Sequence, residues 1–271
     1  MENGTRRSLR TDPPARLRLA LLAGLVLTVY TAFSRVLHPF AFHVNVVLSM
    51  LVVLPLVTLA VFGLTPLRRA GNRLLVISAL ALAPAVLFSW LGWVPFSNLA
   101  KIGLAVCLGF WIAEQVEGVA VIVLIAALSA AVDIYSVFAG PTKVLLAGHP
   151  AAVGYFTVAI TWFGYSYREA YSQLGTSDFF FFSLYLGAVE AFGLRVGRTL
   201  VFMTLSFLVT VVAAFWTSAL PALPLLALAF VAANYDLLWE NRRLRRARLS
   251  SRPHGSVERA PRDGSAGGAP D

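Results

Sequence analysis

"AAVGYFTVAITWFGYSY", residues 151–167, is the stretch on which the fold turns. It is apolar and rich in β-branched and aromatic side chains, so it reads either as a short membrane span or as a strand. The choice sets the direction in which every later helix runs.

The surrounding chain leaves no doubt about its solvent. Of 271 residues, 58% are hydrophobic and 13% charged, and the mean hydropathy is +0.76. Such a composition excludes an ordinary soluble domain. The apolar runs are long rather than short and alternating, which predicts membrane helices instead of a barrel. They cover about 19–34, 44–64, 74–93, 98–113 (shorter), 119–138, 175–193, 199–218 and 221–239. The first run follows a basic segment, but no small-x-small cleavage site precedes Arg35, so it reads as a span and not as a signal peptide.

Charge settles the ambiguous stretch. Arginines cluster at Arg6, Arg7, Arg10, Arg16 and Arg18, in "LRRAGNR", in "LRVGR" and in "NRRLRRAR". All four clusters lie on the cytoplasmic side only if 151–167 does not cross, as the positive-inside rule requires. The expectation is therefore an all-α integral membrane protein with eight spans, both termini cytoplasmic, and an extracytoplasmic connection over 140–174, partly strand or re-entrant. Four segments follow: a basic tail over 1–18, four helices over 19–114, a core over 115–239, and a basic disordered tail over 240–271. The net charge of +9 resides in tails and short loops. It marks topology and contact with anionic lipid rather than nucleic acid.

Two carboxylates lie at membrane depth. Asp133 precedes Phe138, the end of the fifth span, by five residues, or about 8 Å of helix rise. Asp178 opens the sixth span in "LGTSDFFFFSLYLGA". An aspartate at a helix centre costs about 2.5–3.5 kcal/mol to insert, so such residues persist for function or pairing. In the eight-span topology both lie toward the outer leaflet and can meet. Two adjacent carboxylates in a low dielectric share one proton, which lets one activate water while the other polarises a carbonyl. The local alternatives are pairing with an arginine or helix capping, to which "GTSD" is suited.

"AVDIYSVFAGPTKVLL", "LGTSDFFFFSLYLGA" and "ALPALPLL" resemble, in order and at similar spacing, the three signatures of the presenilin and signal peptide peptidase family of intramembrane aspartyl proteases. The matching positions are Val132-Asp133, Gly175-Thr176-Ser177-Asp178 and Pro221-Ala222-Leu223. The resemblance covers roughly 117–239. It implies a presenilin-like helical bundle, Asp133 and Asp178 as catalytic pair, and Gly175 and Ser177 shaping the approach to Asp178. Pro221, Ala222 and Leu223 would position a membrane-spanning protein or peptide substrate in extended form. Water is then the nucleophile, and no metal or organic cofactor is needed. The orientation is more similar to signal peptide peptidase than to presenilin. Val132 stands where the family has tyrosine, with Tyr135 two residues after Asp133, and Ser177 replaces a glycine. Within this reading, 151–167 is the expected second edge for the substrate strand.

Other classes stay open at this level. A transporter or channel would use Asp133 and Asp178 as a proton or cation relay, and an inactive relative would bind membrane helices without cleaving them. Glu190 reads as paired with Arg195 or a neighbour. Glu114 and Glu117 are placed in a turn, and Asp236 and Glu240 at the cytoplasmic end of the last span. His38, His43, His149 and His254 lack metal-ligand spacing. The run Phe179–Phe182 reads as lipid-facing and packing surface. Cys107 is the single cysteine, which excludes a disulfide scaffold. Lysine appears only as Lys101 and Lys143, a bias toward arginine that suggests a prokaryotic plasma membrane.

Overall fold

The computed structural model describes residues 12–38, 40–140, 150–165, 171–217 and 220–250. The helices are α1 (Pro13–Phe33), α2 (Phe42–Gly63), α3 (Arg73–Trp90), α4 (Val94–Gln115), α5 (Val119–Phe138), α6 (Pro150–Phe156), α7 (Thr176–Ala191), α8 (Val196–Thr217) and α9 (Leu223–Ser250). Between α6 and α7 lie two strands, β1 (Thr157–Thr161) and β2 (Tyr171–Gly175). Six helical segments, reaching from α1 through α5 and again at α8, are long and apolar enough to cross a membrane.

Several boundaries differ from the sequence reading. Helix α1 begins at Pro13, inside the segment assigned to the basic tail, because Pro13 and Pro14 occupy first-turn positions that need no donor. The fourth helix is not short: it runs 22 residues from Val94, with Pro95 in its first turn. The last helix continues through "NRRLRRAR" to Ser250, where a disordered tail was expected. Arginine is a strong helix former, and an established helix propagates through such a segment. Residues 251–271, like 1–11, lie outside the described residues.

Helix α4 is the centre of the described bundle. It packs against α3, α7, α1 and β1. Its contact with α7 is close because small residues face each other: a Cβ added at Gly109 would lie 2.0 Å from Ser183 Oγ and 2.5 Å from the Phe180 carbonyl, and one at Gly187 would lie 2.8 Å from Ala113 Cβ. Between membrane helices, where lipid offers no hydrophobic gain, such close approach is the main source of attraction. Phe110, Phe179, Phe182, Tyr185, Phe207 and Phe230 are fully buried in this region. Two of the four phenylalanines in 179–182 supply the packing part of the expected lipid-facing and packing surface, and both pack on Phe207 of α8.

The stretch 151–167 holds the short helix α6, the strand β1, and a turn to Tyr165. β1 pairs antiparallel with β2, with Thr157 opposite Gly175 and Thr161 opposite Tyr171. Buried backbone polar groups persist only where protein satisfies them, and here side chains do so. Tyr30 of α1 donates to the Thr161 carbonyl at 2.7 Å, Asn45 of α2 to the Phe163 carbonyl at 2.9 Å, and Ser49 Oγ accepts the Phe163 N–H at 3.0 Å. Lys101 of α4 donates to the carbonyls of Gly154 and Thr157. Asn98, one turn earlier, takes both backbone groups of Ala159: its amide donates to the carbonyl at 2.6 Å and its oxygen accepts the N–H at 3.1 Å.

Candidate active site

Both aspartates sit where a helix end meets another backbone. Asp178 is in the first turn of α7, directly after β2, and is 7% exposed. Its Oδ2 accepts the Gly175 N–H at 3.0 Å, so the carboxylate satisfies a donor at its own helix start, as the "GTSD" pattern suggested. Gly175 has an ordinary φ of −63°; its value is space, because a Cβ there would lie 3.1 Å from Ser177 Oγ and 3.2 Å from Asp178 Oδ2. Ser177 is exposed beside it, and Thr176 Oγ1 is buried without a hydrogen-bond partner among the described residues.

Asp133 lies near the end of α5, partly buried. Its Oδ2 accepts the Leu223 N–H at 3.0 Å, and the Ala222 N–H also acts on it. Leu223 opens α9, and the first N–H groups of a helix have no partner within it. Pro221 and Ala222 precede the helix as non-helical backbone, and Pro221, Ala222 and Leu223 are all buried. Pro221 is therefore not the first helical residue. It precedes a bend at Ala222, after which the Leu223 N–H is free to donate to Asp133.

α5 packs on α7, and Asp133 and Asp178 interact electrostatically. The set Asp133, Gly175, Ser177, Asp178, Pro221, Ala222 and Leu223 thus gathers around the junction of α5, α7 and α9 with the end of β2. The two positions that depart from the motifs the sequence resembles, Val132 and Ser177, are both exposed. Val132 is 58% exposed and Tyr135 64% exposed. Ser177 remains at the site.

Sequence reasoning missed part of the support. Asn98 and Lys101 lie at i, i+3 on α4, polar residues inside an apolar run, a signal legible in hindsight. Ser129 and Tyr185 gave no signal apart from polarity. Glu190 pairs with Arg16 of α1, which also donates to Thr65 at 2.9 Å and covers the Phe62 ring. This partner is 174 residues away and invisible to local reading. Glu114 belongs to the last turn of α4 and pairs with Arg68 at 2.8 Å.

Comparison with known proteins finds no matching family model, no similar curated protein and no similar solved structure.

Proposed function

We propose that the chain is an intramembrane aspartyl endopeptidase, resembling presenilin and signal peptide peptidase, that hydrolyses peptide bonds of membrane-spanning substrates. The observation that carries this reading is Asp133 held on the Leu223 N–H of the Pro221-Ala222-Leu223 entry to α9, within electrostatic range of Asp178. The ionised carboxylate of the pair takes a proton from water, whose oxygen attacks the peptide carbon. The protonated carboxyl donates to the carbonyl oxygen. Collapse of the tetrahedral species expels the amine, which leaves with a proton from the pair.

The substrate must present an extended backbone, since helical hydrogen bonding shields its peptide groups. Ala159 turns both its polar groups to Asn98, away from β2, so that edge of the hairpin is taken. By antiparallel alternation its opposite residue, Gln173, directs its N–H and carbonyl away from β1. The edge offered to substrate is therefore that of β2, which leads into Asp178, rather than 151–167 itself.

The topology belongs to the same proposal. α7 and the apolar part of α9, Leu223–Trp239, are shorter than the six clear spans and complete a set of eight. Sixteen residues of α7 rise about 24 Å, close enough to a hydrocarbon core for slight thinning to accommodate. Both termini are then cytoplasmic, in a prokaryotic plasma membrane, with basic tails on anionic lipid. A cysteine placed near residue 270, in a Cys107→Ser background, should react with an impermeant thiol reagent only from the cytoplasmic side.

The activity test is photo-crosslinking by a hydroxyl-isostere transition-state analogue of aspartic proteases. Competable labelling of the wild type, lost in Asp133→Ala and in Asp178→Ala, is the expected result. A folded wild type that takes no label would overturn the reading and favour an ion relay or an inactive helix-binding protein.

A further inference from the structure

A second layer lies beneath the aspartates. Tyr185 follows Asp178 by seven residues on α7, and Phe230 follows Leu223 by seven on α9. Each pair therefore shares a helix face, two turns or about 10 Å apart. Ser129 precedes Asp133 by about one turn on α5. These three deeper residues meet. The Tyr185 hydroxyl lies 3.0 Å from Ser129 Oγ, and its ring stacks on Phe230 with centroids 5.1 Å apart and planes at 22°. Tyr185 and Phe230 are fully buried and Ser129 nearly so. The three helices that bring Asp133, Asp178 and Leu223 together above are thus joined again below.

The hydrogen bond has a direction. Ser129 Oγ also lies 3.1 Å from the Ala126 carbonyl, which only accepts. The serine proton goes there, and Tyr185 donates to Ser129. Helix α5 depends on such ties because it buries only a narrow stripe of Ile122, Ala126 and Ser129, while Leu124, Leu128 and Val132 are exposed. A narrow apolar stripe resists sliding poorly, and a buried polar pair specifies register. A slip of one residue would rotate Asp133 by about 100° around α5 and carry it off the Leu223 N–H.

We propose that Tyr185 is a positioning residue that sets the register of α5 against α7 and α9, and with it the approach of Asp133 to Asp178. Its catalytic consequence rests on the proteolytic reading above, whereas the register itself does not.

The test uses the full chain in two forms. In a Cys107→Ser background, Asp133→Cys and Asp178→Cys are bridged by a short bifunctional methanethiosulfonate, with and without Tyr185→Phe. In the otherwise native chain, the transition-state analogue labels wild type, Tyr185→Phe, Ser129→Ala and the double variant. Loss of the hydroxyl should slow bridging about fivefold and cut labelling by a similar factor, and the double variant should fall no further than the lower of the two singles. Bridging and labelling both unchanged in Tyr185→Phe would overturn the proposal and leave the residue as packing alone. A wild type that never labels, yet bridges more slowly in Tyr185→Phe, would keep the register and remove the protease. Should Tyr185→Phe fail to fold, Ser129→Ala leaves the ring stack intact and decides the same comparison.

Discussion

The carboxylate of Asp133 on α5 accepts the backbone N–H of Leu223 at the start of α9, 90 residues away, at 3.0 Å. One aspartate is thereby fixed to the Pro-Ala-Leu entry by a backbone donor that no side-chain substitution at position 223 removes, except proline. Leu223→Pro deletes the donor at a helix position where proline is tolerated. We expect analogue labelling to fall about tenfold, the value of a hydrogen bond to a charged group. Leu223→Met, which retains the N–H, should label nearly as wild type; equal loss in both would assign the effect to packing.

The α4–α7 contact should tolerate no added carbon at Gly109. The space that a Cβ would need is held by Ser183 Oγ and by the Phe180 carbonyl, and the latter is backbone that does not swing aside. Gly109→Ala is expected to destabilise by about 1–3 kcal/mol, read as a lower midpoint of thermal unfolding in detergent. Gly103→Ala on the same helix, where nothing stands within 4 Å, is the control and should leave the midpoint unchanged or raise it.

Asn98 should control the hairpin more than the bundle. Replacing it with leucine strips Ala159 of both partners while keeping an apolar side chain of similar size. Each buried group left unsatisfied costs about 1–3 kcal/mol. Faster hydrogen exchange confined to 157–161 and 171–175 is expected, with the core amides of α4 protected as before. Exchange that rises throughout the bundle would show instead that Asn98 holds the helices.

At the opposite end, Arg16 ties α1 to α7 through Glu190. Glu190→Gln keeps a hydrogen-bonding group and should cost about 1.5–3 kcal/mol. Arg16→Ala should cost more, because it also abandons Thr65 and the Phe62 ring. Unfolding midpoints of the two variants and their combination, compared as a cycle, separate the pair from the additional contacts. A larger effect from Glu190→Gln than from Arg16→Ala would contradict this arrangement.

Membrane character, helix type and most helix positions were legible in the chain itself. The reason is that hydrocarbon permits few solutions: apolar runs of sufficient length must be helical. The two aspartates stood out for the same reason, as groups that lipid does not tolerate without purpose. Tertiary structure alone decided the rest. It brought Asp133 to a backbone donor at Leu223, paired Glu190 with Arg16, and closed the outer edge of β1, the one not paired with β2, with Asn98. Those partners lie far apart in sequence and leave no periodic trace. Satisfying a buried polar group requires only that some donor arrive at about 3 Å, and nothing local in the chain says which one will.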